Sequence, residues 1–488
     1  MSWNGPLEKL DQFRFRIPQS YRGEQGTLSM RTQAVIYAHD DMIPAIRSDN
    51  ALEQAANVAM LPGIVGSSLA MPDIHWGYGF PIGGVAATHA DEGVISPGGV
   101  GYDINCGCRL VRTNLYHKDL DHKTIRSLVD TLFVNIPSGL GSTAKVRLTH
   151  KELEDVLRFG AQWAVDQGFG WHEDIEFLEE NGCLQHADIQ AVSHEAKQRG
   201  APQLGSLGAG NHFLEIQQVA EIYDVKAAQA YGISSPGQIM IMIHTGSRGF
   251  GHQVCTDYLQ ILERAVKKYN IVLPDKQLAC APVHSKEGEQ YFKAMACAAN
   301  FAWCNRQMIV HWIRESFEKI LHRTADDLDM HIVYDVSHNI AKLEEHTVDG
   351  KKQKVYVHRK GATRSFGPGS SDIPQKYRAV GQPVLIPGDM GTESYVLRGT
   401  GTLETFASTC HGAGRLLSRH EALKRWRGEH ILKDLQEKGI YVHPASLKVL
   451  AEEAPGSYKN VREVVNVAHG AGIARKVARL VPLGVVKG

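Results

Sequence analysis

The sequence predicts a fold of mixed α and β structure built around a large core. Three observations carry that prediction. Short apolar runs of strand length recur along the 488 residues, several of them leading into loops rich in glycine and histidine. Between them lie stretches with apolar residues three and four apart, the pattern of amphipathic helices. The chain is 43% hydrophobic and 22% charged, an ordinary globular balance in a chain long enough to bury a sizeable interior.

Five loops stand out. MPDIHWGYGFPIGG covers residues 71–84. GGVGYDINCGC, 98–108, runs into an alternating strand over 109–112. LGAGNHFLEI covers 207–216. HTGSRGFGH, 244–252, follows the apolar run 239–243, which reads as a buried strand. DVSHN, 335–339, follows a short strand over 331–334. Helical spacing covers 118–134, 151–167 and 258–269, and a long, mostly apolar helix is expected over 294–320. In the last third, 347–357 reads as a β-hairpin turning at Asp349 and Gly350. A basic glycine loop follows at 358–369, then PGDMGTESY at 387–395. CHGAGR, 410–415, enters a helical pattern over 416–426, and the sequence ends PLGVVKG.

The formal net charge is zero, so any nucleic-acid surface must be a local patch. The eight cysteines are scattered, without a CxxC pair. The N-terminal MSWNGPLEKL lacks the basic and apolar regions of a signal peptide, and the longest uncharged stretch, 54–72, is broken by Pro62, Gly63 and Gly66. The expectation is a reduced, cytoplasmic protein. The 48 glycines exceed the average share of about 7%, and 24 histidines in such a background suggest metal or phosphate chemistry.

Asp103 and Cys106 lie three apart in one tight loop, and His212, His244 and His338 each sit at a strand–loop junction. Thiolate and imidazole suit Zn, Mn, Fe or Co, and a carboxylate shifts the preference toward harder ions. These five residues could build one or two metal centres; the bland reading is a set of buried cysteines and loop histidines. Asp73 and His75 are candidates to orient such ligands, or Asp73 simply caps a turn. Arg359, Lys360 and Gly361, with Thr363 and Arg364, place cations beside flexible backbone, as do Ser247, Arg248 and Gly249, against the alternative of solvated loops. His411 precedes an amphipathic helix whose N-terminus would suit phosphate, with Arg415 one turn on. A neutral imidazole there could attack phosphorus. HGAG recurs at His469, however, and only Arg415 against Ile473 favours the first copy.

In this order, PDIHWGYGFPIGG, GGVGYDINCG, LGAGNHFLEIQ, HTGSRGFGHQV, DVSHNIAK, HRKGATR, PGDMG, STCHGAGR and the terminal PLGVVKG resemble the RtcB family of 3′-phosphate RNA ligases over nearly the whole chain. The resemblance implies one α+β domain spanning 1–488, with mixed sheets surrounded by helices and an active site of glycine-rich loops. It implies two Mn²⁺ ions held by Asp103, Cys106, His212, His244 and His338, with Cys106 bridging. GTP is the implied cosubstrate and His411 the guanylylated nucleophile. Nucleotide contacts are implied for Asn211, Glu215, His338, Asn339, Pro387, Gly388, Asp389, Met390, Ser394, His411, Gly412, Ala413, Gly414, Tyr458 and Lys487. Asp73, Ser247, Arg248, Arg364 and Arg415 are implied along the RNA or phosphate path. Asp389 stands where the family commonly carries Ser, so that contact is expected to differ here.

The implied reaction joins RNA 3′-phosphate or 2′,3′-cyclic phosphate ends to 5′-hydroxyl ends, in tRNA splicing or RNA repair. An archease-type protein is an implied partner. Two other readings compete. A two-metal phosphoesterase would use the same ligands without His411 or Lys487. A non-enzymatic RNA scaffold would need basic or aromatic stripes and no ligands.

Overall fold

A computed structural model describes residues 3–23, 26 and 28–488. Its two large sheets, with helices packed around them, make the fold α+β. The first sheet has seven strands in the order Glu8–Lys9, Arg14–Ile17, Ala34–Tyr37, Ile64–His75, Ile82–His89, Lys351–Lys360, Asn339–Val348. Only the pair Ala34–Tyr37 and Ile64–His75 is parallel. The last two strands are the expected hairpin. Asp349 (φ 49°) and Gly350 (φ 76°) supply the two left-handed residues of a type I′ turn, and Val348 pairs with Lys351.

The second sheet runs Ile332–Ser337, Gly107–Tyr116, Gln238–Thr245, Phe213–Ile222, Ala474–Lys487, Ser394–Gly399, Pro383–Ile386, with Tyr441–Pro444 pairing parallel to the end of Ala474–Lys487. Gln238–Thr245 is central and buried on both faces. Ile239, Ile241 and Ile243 enter one hydrophobic cluster, Met240 and Met242 another. That two-sided burial is why the run reads as continuously apolar.

The long helix extends beyond its expected limits, Lys286–Leu321, and is buried along most of its length. The helix expected over 151–167 is two, His150–Phe159 and Ala161–Asp166. Gly160 adopts φ 58° between them, against the carbonyl of Gly182. The helix expected over 118–134 starts at His122, capped by Asp121. The pattern at 258–269 belongs to a longer helix, Arg248–Lys268. All eight cysteines are free, and among the described residues no helix is long and apolar enough to cross a membrane.

Two expectations are corrected. The basic segment from 358 is no loop: it ends the strand Lys351–Lys360 and continues, past Gly361, as the strand Ala362–Arg364. Its two arginines are buried in internal ion pairs. Arg359 grips Glu344 with both terminal nitrogens (2.6 and 2.9 Å), and Arg364 donates to Glu180 (2.7 Å). The helix expected over 416–426 starts three residues late, which moves its N-terminus away from His411. The helix there is Arg419–Arg425, capped by Ser418, eight residues further on.

Candidate active site

Antiparallel pairing assembles the site. Ser337 pairs with Gly107, Gly107 with Thr245, His244 with Phe213, and Phe213 with Lys487. Five strand ends therefore lie in a row at one end of the second sheet. Each carries a residue singled out in the sequence within its last two positions or on the one beyond: His338, Cys106, His244, His212 and Lys487.

The side chains converge there. Cys106 Sγ lies 3.3 Å from His244 Nε2 and 3.5 Å from His212 Nε2. His244 Nε2 is 3.3 Å from His338 Nε2, and His212 Nε2 is 2.8 Å from Asp103 Oδ2. The donors fall into two groups, Cys106–His244–His338 and Asp103–Cys106–His212, which share Cys106. Burial holds His244 and His338 well below the ordinary imidazole value and lowers His212 as well. Burial also pushes the Cys106 thiol up, with Asp103 and Cys108 adding to it. For Asp103 burial pushes upward, but His212, His252 and Arg248 together outweigh it and hold the carboxyl well below the usual range. Neutral imidazoles, an ionised carboxylate and a thiol packed this closely form a donor set that could hold metal.

The donors are held from behind. The expected strand at 331–334 continues to Ser337, so Asp335 is a buried strand residue. It accepts from Arg109 Nε (2.7 Å), Arg306 Nε (2.6 Å) and Trp303 Nε1 (3.0 Å). Arg306 Nη1 also donates to the carbonyls of Asn105 (2.8 Å) and Thr245 (2.9 Å). Asn305 Nδ2 reaches the carbonyl of Gly246 (3.2 Å). One helix thus grips the chain beside Cys106, His244 and His338. Ser247 N donates to Asp103 Oδ1 (3.0 Å), and His212 Nδ1 pairs with the carbonyl of Leu207 (3.0 Å), which leaves Nε2 for the cluster.

His411 stands beside this cluster, its ring 4.7 Å from that of His338. Asp73, fully buried, accepts on one oxygen both His411 N (2.9 Å) and Nδ1 (2.6 Å). Burial pushes Asp73 up, but His411 and Lys459 more than offset it and keep the carboxyl ionised. With Nδ1 committed as a donor, Nε2 carries the free lone pair. His469 has no such setting. It lies in the last turn of the helix Val461–Gly470, and its Nδ1 accepts from Lys476 N at 3.2 Å. The cavity shared by the cluster and His411 has a volume of about 810 Å³.

Matching this chain to protein families finds the family described as "tRNA-splicing ligase RtcB" over residues 54–488. The chain belongs to the RtcB family. The protein named tRNA-splicing ligase RtcB in Thermococcus kodakarensis is 60% identical over 485 residues, 99% of each chain. The one from Archaeoglobus fulgidus is 54% identical over 490 residues, 100% of each. The one from Aeropyrum pernix is 53% identical over 486 residues, 99% of this chain and 100% of the relative.

Of the residues expected from the RtcB resemblance, most line the cavity: the five donors, Asn211, Arg248, Asn339, Pro387, Gly388, Asp389, Met390, the segment His411 to Arg415, Tyr458 and Lys487. Five do not. Asp73 lies under His411, and Ser247 is buried against Asp103. Ser394 Oγ accepts from Gly388 N (3.3 Å), bracing the 387–391 turn. Glu215 pairs with Val485, two positions along from Lys487, where burial pushes its carboxyl up to about 8. Its Oε1 has no hydrogen-bond partner. Arg364 is committed to Glu180 and Gln382 and does not reach the cavity, so its expected phosphate contact is withdrawn. Asp389 spends its carboxylate on its own turn, accepting from Gly391 N (2.9 Å) and Thr392 Oγ1 (2.8 Å).

Sequence reasoning missed Arg419, Glu453, Tyr102 and His252, which also line the cavity. Arg419 and Arg415 both pair with buried Glu453 (2.8 and 2.9 Å). The four-residue spacing of the two arginines was the available signal. The long helix carried another, Asn305, Arg306 and Gln307 inside an otherwise apolar pattern.

Proposed function

We propose that this chain is a GTP-dependent RNA ligase that joins a 3′-phosphate or 2′,3′-cyclic phosphate end to a 5′-hydroxyl end through a guanylylated His411. tRNA halves and cleaved RNAs are the proposed substrates. The observation that carries the reading is the Asp73–His411 pair set against the shared-cysteine donor cluster. Asp103, Cys106, His212, His244 and His338 would hold two Mn²⁺ ions, whose Lewis acidity would offset phosphate charge.

His411 Nε2 attacks the α-phosphorus of GTP, the bond to the β-phosphate oxygen breaks, and pyrophosphate leaves. Asp73 keeps the Nδ1 proton in place and balances the positive charge that the imidazole gains. An oxygen of the RNA 3′-phosphate then attacks the same phosphorus, and the N–P bond to His411 breaks. The 5′-hydroxyl of the second strand attacks the activated 3′-phosphate, loses its proton, and GMP departs. A cyclic phosphate end is first opened by water. Arg248, Arg415 and Arg419 supply positive charge along the phosphate path. Tyr458, Met390 and the 387–391 turn wall the nucleotide. Lys487, at the cavity wall, offers a donor that complements guanine.

The test is incubation with Mn²⁺ and α-labelled GTP. The expected result is an acid-labile, alkali-stable covalent adduct, lost in His411→Ala and kept in His469→Ala. Absence of the adduct, or its survival in His411→Ala, refutes the mechanism.

A further inference from the structure

The cavity has two aromatic regions of different character. Tyr458 is fixed: its hydroxyl donates to Glu453, and Arg415 sits 5.0 Å above its ring. On the Asp103 side the rings are open to solvent. Tyr102, directly before the donor Asp103, is 37% exposed although large and aromatic. His252, on the second turn of the helix Arg248–Lys268, is exposed as well. Tyr102 lies 6.1 Å from His252 at an interplanar angle of 34°, and Tyr78 meets it edge-on at 5.7 Å. Tyr102 and His252 both line the cavity beside Arg248.

The backbone under this group is built to stay put. Lys360 Nζ, on the first sheet, donates to the carbonyls of Tyr78 and Phe80. Its side chain packs beneath Gly101, where a Cβ would lie 3.4 Å from Lys360 Cε. A buried lysine therefore ties together the two loops that present Tyr78 and Tyr102. Rings held in place yet left exposed suit a flat partner arriving from solvent.

We propose that Tyr102, flanked by His252 and Tyr78, is a stacking subsite for the base of the terminal nucleotide of an RNA end. The proposal rests on the ligase reading above and adds a subsite to it. Two features favour an RNA end over a second mononucleotide. The subsite opens to solvent, so a chain can continue outward. It also adjoins Asp103 and Arg248, so the base would rest here with its phosphate among the charged groups. Stacking is indifferent to base identity, as an enzyme joining varied ends requires.

The experiment uses the full chain with Mn²⁺ and GTP. Initial rates are measured against concentrations of intact RNA ends and of the same RNAs made abasic at the 3′-terminal or the 5′-terminal nucleotide. Guanylylation without RNA is measured in parallel. Tyr102→Ala and Tyr102→Leu should raise the KM for RNA by about five- to 160-fold, the range expected for one stacked base. Guanylylation should remain at the wild-type rate, and Tyr102→Phe and Tyr102→Trp should retain the KM. Wild-type enzyme should lose the same factor on one abasic substrate, which identifies the strand, and Tyr102→Ala should not distinguish that substrate from intact RNA. An unchanged KM in Tyr102→Ala, an equal fall in guanylylation, or indifference of wild type to both abasic RNAs overturns the proposal. Failure of wild type to form the adduct overturns the ligase reading instead.

Discussion

Replacing Asp73 by asparagine isolates one electrostatic contribution from the geometry around His411. A single carboxylate oxygen accepts both His411 N–H and Nδ1–H. The backbone N–H can only donate, so in Asp73→Asn the amide oxygen of the new side chain must take that oxygen's place. The ring tautomer is thereby preserved, because the same oxygen still accepts from Nδ1. What disappears is the negative charge opposite an imidazole that becomes cationic once Nε2 carries phosphorus. A hydrogen bond to a charged group is worth about 1.5–3 kcal/mol and a neutral one about 0.5–1.5 kcal/mol. The difference, about 1–2 kcal/mol, slows adduct formation by roughly five- to thirty-fold. Asp73 Oδ1, which has no partner, becomes an amide nitrogen with no acceptor. That adds a stability cost of about 1–3 kcal/mol, readable separately in urea unfolding.

The assay is the single-turnover rate of guanylylation at saturating GTP and Mn²⁺, with bound metal counted in each preparation. Asp73→Asn should keep its metal and show the slowed rate, whereas His411→Ala shows none. A wild-type rate in Asp73→Asn refutes the charge argument. Loss of metal together with activity would mean that Asp73 supports the donor cluster and not the nucleophile.

Three further outcomes follow from the buried charges. Asp335→Ala strands two fully buried guanidiniums, Arg109 and Arg306, and should cost about 3–5 kcal/mol in urea unfolding; a loss below about 1 kcal/mol would show that the ion cluster is not holding the strand ends. Metal uptake at pH 7 should release about one proton per chain, since Cys106 starts as a thiol raised by burial while the histidines start neutral; calorimetry in buffers of different ionisation enthalpy reads this, and Cys106→Ser should abolish it. Burial pulls Lys360 down to about 7, so between pH 7 and 10 the unfolded state binds more protons at this position and its contribution to stability rises with pH; wild type should therefore gain on Lys360→Met in unfolding free energy from pH 7 to pH 9, and a gap that narrows contradicts the shift.

The parts of the site that local pattern controls were legible in the sequence. The apolar run before His244, the hairpin at Asp349 and Gly350, and ligand-type residues in glycine loops all express rules acting over a few residues. The misreadings share one cause, that partners lay far away. The segment from 358 looked like a phosphate loop because its cations were visible and Glu344 and Glu180 were not tied to them by spacing. Arg306 passed as part of an apolar helix because its acceptors belong to Asn105, Thr245 and Asp335. The choice between the two HGAG histidines is the sharpest instance. No local feature separates them beyond Arg415, and that arginine turns to Glu453. What separates them is Asp73, 338 residues upstream, which orients one imidazole toward the donors while the other closes a helix on Lys476. Asp73, near the end of the strand Ile64–His75, reaches His411 because Gly83 and Gly414 have no Cβ to hold the chains apart there: at Gly83 a Cβ would lie 2.8 Å from Asp73 Oδ1, and at Gly414 it would meet the carbonyl of Asp73. The glycine-rich composition and the proposed nucleophile are therefore one feature: close backbone approach permits a buried carboxylate, and that carboxylate orients the imidazole of only one of two identical tetrapeptides.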